Sequence, residues 1–195
     1  MYKRHFHFLL AAMLLCASTS YAENMVTLPK PDMTGGKPLM QVLKERHTNR
    51  QISMKEVDIA IVSNLLWATW GINRDNGKHT APTALNKQQI KVYLMRADGI
   101  WEYLPSGQAI RQVADKPLGA PFTDAPIHLL FAIPADDHYG PMHIGSLYQN
   151  AGLFCASAGL ANVVKASTVR DQSIFGSFLP VGYVMQATQS IGWPQ

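Results

Sequence analysis

Two cysteines are all that the 195 residues carry, and only one of them, Cys155, lies outside the first 22 residues. An intrachain disulfide is therefore excluded for the part of the chain after residue 22, and its stability must come from packing, a ligand or a second subunit. No apolar run approaches the 20 or so residues that a membrane-spanning helix needs. No period-length repeat or low-complexity tract occurs. No Gly-rich dinucleotide fingerprint is present, and the acids and histidines of Asp136, Asp137, His138 and His143 match no compact zinc spacing, so a solvated polar loop is the simpler reading there.

What the amino terminus does contain is a positive start at Lys3 and Arg4, an apolar run from Phe8 to Ala17, and small residues flanking Tyr21 in Ser20-Tyr21-Ala22. These are the three parts of a secretory signal peptide, so residues 1–22 are expected to be removed and the mature chain to begin at Glu23, exported to a periplasm or secreted, with no stable membrane insertion. Cys16 is a poor lipidation site because bulky Leu15 precedes it, and no Arg-Arg pair supports a twin-arginine route. Removal of the leader takes away two of the +4 formal charges and no acid. The basic balance is thus partly a property of the leader, and nothing points to nucleic acid.

Residues 23–37, rich in Pro, Gly and Thr, read as an extended lead-in, and residues 38–195 as one α+β domain. Leu39, Val42 and Leu43 have helical spacing. Ser53-Met54-Lys55-Glu56 has the form of a capping box, which would open a helix bearing Val57, Ile61, Leu65 and Ala68 and ending at Gly71. Ile90 to Met95 alternates and is rich in branched and aromatic residues. Ala97-Asp98-Gly99 turns it into a second strand, Ile100 to Tyr103. Ile127 to Ile133, apolar except for His128, suits a strand buried on both faces. Met142 to Leu160 lacks proline and is dense in small and apolar residues, which fits a long buried helix. Val163-Val164 and Ser190 to Trp193 are candidate last strands.

Three segments carry chemistry. Arg46-His47-Thr48-Asn49-Arg50 follows the first helix, and two guanidiniums flanking a hydroxyl are a phosphate-binding set, although a solvated helix end also carries such charges. Pro82-Thr83-Ala84-Leu85-Asn86-Lys87-Gln88 offers the donors and acceptors that read a heterocycle's edge, or it is an ordinary turn before a strand. Ser146 to Asn150, followed by Cys155 to Leu160, puts small residues on a buried helix, where a backbone or a flat ring can come close. Cys155 itself reads as a small buried hydrophobe.

The order of these segments, closed by a Gly-aromatic-Pro at Gly192-Trp193-Pro194, resembles the nitroreductase-like flavoprotein family over the whole mature chain. Residues 65–103 look most like its thiazole/oxazole-forming dehydrogenase branch. The resemblance implies a central mixed, mainly antiparallel sheet flanked by helices, and FMN at a homodimer interface. Arg46, His47, Thr48 and Arg50 would hold the phosphate. Pro82, Thr83, Asn86 and Gln88 would line the isoalloxazine, with Asn86 on its pyrimidine edge. Gln149 and Asn150 would belong to the subunit contact or lie beside the ring. Backbone at Leu160, Ala161 and Asn162 would face flavin N5, where a donor is wanted.

The implied activity is hydride transfer through N5 between a donor and a small organic acceptor in two half-reactions, with no catalytic side chain demanded. NAD(P)H is one candidate donor, though it is scarce outside the cytoplasm. The other reading is a binding or structural homodimer that keeps the fold and binds little flavin. Three departures from the family pattern stand out. His47 replaces a more usual arginine, and His143 stands at a helix start where an acid is more usual. No basic residue follows Pro194, so Lys165 or Arg170 is expected to complete the phosphate site.

Overall fold

The structure, a computed structural model, describes residues 24–195; the expected leader lies outside them. Its centre is a seven-stranded sheet in the order β1-β4-β3-β2-β5-β7-β6. The strands are β1 (Met25–Thr27), β2 (Lys91–Arg96), β3 (Gly99–Leu104), β4 (Ala109–Ala114), β5 (Ile127–Pro134), β6 (Ala161–Lys165) and β7 (Tyr183–Gly192). Every neighbouring pair is antiparallel. The parallel component that a mixed sheet requires is absent among the described strands.

The β2–β3 hairpin forms as its alternation predicts, and Gly99 is required at its corner. Its φ is +126°, and a Cβ there would sit 2.2 Å from the Ala114 carbonyl oxygen. Strand β5 is buried on both faces, since alternate side chains enter two different cores. Leu129 and Phe131 face one side with Val92 and Leu94. On this side lie three helices, α1 (Leu39–Glu45), α2 (Ile59–Trp70) and α3 (Gly140–Ala158). Helix α2 contributes Leu65, Leu66 and Trp70, and α3 contributes Ile144, Leu147, Ala151 and Cys155. Leu130 and Ala132 face the other side with Tyr93 and Met95, under Phe122 and Phe175 from irregular segments. Gly159, at φ +74°, stops α3 in the left-handed conformation that glycine accepts at no steric cost.

Three departures from the sequence reading have physical causes. Ser53 opens no helix. Its N–H donates to the Trp193 carbonyl at 2.8 Å, beside the Ile52–Pro194 bridge, so this stretch pairs with the carboxyl-terminal segment. Helix α2 begins five residues later than expected, where Asp58 caps it by accepting the Ala60 N–H at 2.7 Å. The lead-in is not wholly unpacked, because Met25–Thr27 pairs with β4 and Leu28 enters the core. Strand β4 was not expected from the sequence; only Ala109 and Ile110 are buried there.

Candidate functional site

The run Arg46 to Arg50 leaves α1 and crosses the outer edge of β6, where the Asn49 N–H donates to the Asn162 carbonyl at 3.0 Å. Extended backbone sends successive side chains to opposite sides. His47 and Asn49 line a cavity of about 460 Å³ together with Gly159, Leu160, Ala161 and Asn162. Arg46, Thr48 and Arg50 are not among its walls. The Arg46 stem instead lies over α3, where a Cβ added at Gly152 would meet Arg46 Cδ at 3.8 Å and Asn162 Oδ1 at 3.6 Å. Among the described residues, no hydrogen bond or ion pair engages the side chains of Arg46, Thr48 or Arg50. His47 lines that cavity, and its Nδ1 is bonded to the Glu45 carbonyl at 2.7 Å.

The donor expected at Leu160 is already in use, because the Leu160 N–H bonds the Cys155 carbonyl at 2.8 Å and closes α3. The Asn162 peptide differs. Its carbonyl takes the Asn49 N–H, so in an antiparallel edge strand its own N–H lies on that same outer edge. The Asn162 side chain is oriented by Gln189, whose Nε2 donates to Asn162 Oδ1 at 2.9 Å and to the Tyr148 carbonyl at 3.4 Å. The Asn162 amide NH2 is consequently turned away from Gln189. No sequence signal pointed to Gln189, which acts across two strands.

Pro82 to Gln88 forms a separate site. Leu85, Asn86 and Gln88 have φ of 55°, 53° and 48°, a left-handed conformation that costs a non-glycine residue on the order of 1 kcal/mol or more. Gln88 Nε2 bonds Asn86 Oδ1 at 2.8 Å, and the Gln88 N–H bonds Thr83 Oγ1 at 3.3 Å. Leu85 is 82% exposed at the tip. The loop is tied to the first turn of α3 through the Ala84 N–H, which donates to His143 Nε2 at 2.7 Å. Asn150, expected beside a ring or a subunit contact, instead bonds the Thr80 carbonyl at 3.4 Å, while Gln149 is exposed.

One chain thus brings the Arg46–Arg50 run to the Asn162 edge through Asn49, while Pro82, Thr83, Asn86 and Gln88 are tied to the other end of α3. The loop is anchored at His143 and the Leu160–Asn162 segment follows Gly159. Sixteen residues of α3 separate these anchors, roughly 24 Å along the helix axis at 1.5 Å per residue.

Neither residue expected to complete the phosphate site serves it. Lys165 is bonded to Asp124 at 2.5 Å, and Arg170 is exposed in the segment that covers the opposite face of the sheet. Asp137 bonds Lys87 at 2.8 Å and faces His143 at 3.3 Å, so both are occupied in holding structure. Cys155 is fully buried, and burial pushes its thiol up, which removes it as a nucleophile at neutral pH. A larger cavity of about 520 Å³, walled by Met54, Met95, Phe122 and Ile127 among others, contains none of the expected site residues.

No family model matches the chain. A protein of Methanocaldococcus jannaschii named as a nitroreductase is 24% identical over 151 residues, which cover 64% of this chain and 76% of that one. Among solved structures, one from Ralstonia eutropha, also named as a nitroreductase, superposes with a TM-score of 0.80 at 28% identity, over 88% of this chain and 90% of its own. A nitroreductase-named structure from Desulfovibrio desulfuricans in complex with FMN has a TM-score of 0.60 at 18% identity, covering 81% and 87%. The Escherichia coli microcin synthetase complex shares the fold at 0.61 and 18% identity, covering 97% and 85%. With the α+β architecture and the three ordered motifs, these likenesses bear out the resemblance to nitroreductase-like proteins in fold and sequence.

Proposed function

We propose that this chain is an FMN-dependent oxidoreductase that works as a homodimer with two composite sites. The observation that carries the reading is the set Arg46, Thr48 and Arg50, free of internal partners among the described residues, on a run whose Asn49 N–H bonds the Asn162 carbonyl and whose Arg46 stem lies over Gly152. Two guanidiniums and a hydroxyl, with no carboxylate bonded to them, fit a phosphomonoester. The outer-edge N–H of Asn162 is the backbone donor available to a ring. Bound FMN would supply two-electron chemistry, accepting hydride at N5 from a donor and passing it to a small organic acceptor in a second half-reaction. The chain's own residues would bind, orient and hydrogen-bond.

The separation along α3 supports the dimer. A three-ring heterocycle cannot touch both the Asn162 edge and the Pro82–Gln88 loop of one chain. A two-fold axis that sets two copies of α3 antiparallel brings the loop of one subunit to the Asn162 edge of the other. Exposed Leu39, Met40 and Leu43 on α1, with Leu85 and Met142, offer apolar surface for such a contact. Light scattering should give a dimer for flavin-loaded protein, and a monomer at micromolar concentration would remove the composite site.

Export rests on the Lys3-Arg4 start, the apolar run and Ser20-Tyr21-Ala22. Intact mass from an exporting host should begin at Glu23; a retained Met1 or a lipid on Cys16 would exclude it. Outside the cytoplasm, a small-molecule or protein reductant fits better than NAD(P)H. The deciding experiment is titration of FMN and riboflavin into apo wild-type and Arg50→Ala protein. Arg50→Ala should weaken FMN about 10- to 150-fold and leave riboflavin unchanged. Equal losses would mean that Arg50 supports the fold, and colourless protein that binds neither flavin would favour a structural dimer.

A further inference from the structure

Three of the four non-glycine residues with positive φ among the described residues lie in one loop, at Leu85, Asn86 and Gln88. Such a conformation persists only where the surroundings over-determine it. Here the surroundings are a buried pair. The side chains of Asp137 and His143 are only 3% and 2% exposed. His143 Nε2 accepts the Ala84 N–H, so it carries a lone pair, and Nδ1–H is left to face Asp137 Oδ2 at 3.3 Å. The other oxygen of Asp137 takes Lys87 Nζ from the loop itself at 2.8 Å and the Tyr139 N–H at 3.2 Å. The loop is thus gripped twice from the same acid, once directly at Lys87 and once through His143 at Ala84.

We propose that Asp137 and His143 are positioning residues that hold the Pro82–Gln88 loop in the shape that reads the flavin ring. The inference rests on the FMN reading above, because it assigns this loop to the ring. Neither residue touches the flavin. Asp137 fixes the tautomer of His143, His143 fixes Ala84, and the left-handed turn that follows presents Asn86 and Gln88. Other polar groups around the imidazole are few. Tyr139 has its ring centroid 6.4 Å away, and Lys87 and Asp136 interact across the same corner.

The test uses the full chain without flavin, as wild type, His143→Leu, His143→Gln and Asp137→Asn, titrated with riboflavin and with FMN. His143→Leu should weaken both flavins by the same factor, about 10-fold, because the loop meets the ring that they share. His143→Gln, whose carbonyl oxygen can accept from Ala84, should recover most of the loss, and Asp137→Asn should fall between. Wild-type affinity in His143→Leu, or no recovery in His143→Gln, would overturn the proposal. The Ala84 amide gives a readout that needs neither flavin nor a folded variant. In the wild type it should exchange with solvent at least 10-fold more slowly than that of Leu85 at neutral pH. Equal rates at neutral pH would show that the lock does not exist, whether or not FMN binds. Protection in a wild type that binds neither flavin would fault the FMN reading alone.

Discussion

The two halves of the candidate site are built on opposite principles. Arg46, Thr48 and Arg50 stand on a run tied to β6 through the Asn49 backbone, with their own polar ends uncommitted among the described residues. Pro82 to Gln88 is held by side chains at Ala84, Lys87 and Gln88, in a conformation that its residues would not choose alone. The difference follows from the ligand each half would meet. A phosphate brings two negative charges and attracts mobile guanidiniums into place, so little needs to be fixed beforehand. A flat ring offers weak, directional hydrogen bonds, and these repay only a loop already in position.

The severest challenge to that contrast is to weaken the scaffold that both halves share. His128 on β5 is buried, and burial pushes its imidazole down to about 4, with Nε2 unpartnered among the described residues. The unfolded chain therefore binds the proton that the fold refuses. This contribution is fully present above the ordinary imidazole value of about 6.5 and is lost as pH falls to about 4, on the order of 3 kcal/mol. Denaturant unfolding at several pH values should show this slope, and His128→Leu should flatten it. An unchanged slope would assign the acid sensitivity to other groups.

Arg46→Ala separates the halves. Loss of one charge-assisted bond should cost FMN about 1.5–3 kcal/mol while riboflavin keeps its affinity. A matching riboflavin loss would mean that the Arg46 stem over Gly152 supports the ring side as well. Asn86→Ala is the converse and the smallest change. It should weaken FMN and riboflavin alike by about 0.5–1.5 kcal/mol, the worth of one neutral hydrogen bond. Selective loss of FMN would place Asn86 on the phosphate and erase the contrast.

Much of the scaffold was legible where a local pattern and its burial agree. The β2–β3 hairpin and the doubly buried β5 rest on short-range rules of alternation and turn geometry. Ser53 misled because a capping box is a weak local preference, and pairing with Trp193, 140 residues away, outweighs it. Strands β1 and β4 escaped because strands near a sheet edge need no continuous apolar face. Among site residues, the identities of Arg46, Thr48, Arg50 and Asn86 were readable as chemistry. That His47 lines a cavity which those residues do not, that Leu160 spends its N–H on Cys155, and that Lys165 is tied to Asp124 were not.

By itself, the sequence determined which residue types occur in which order, and that was enough for the α+β class, the family resemblance and the cofactor expected from it. Only the tertiary structure decided which of those residues meet. A 19-residue helix keeps its two ends apart, so residues that one motif list groups together are divided in one chain. The buried Asp137–His143 pair belongs to the same lesson. Its worth comes from a backbone N–H brought 59 positions along the chain to one imidazole nitrogen, and such a distance is set by packing alone.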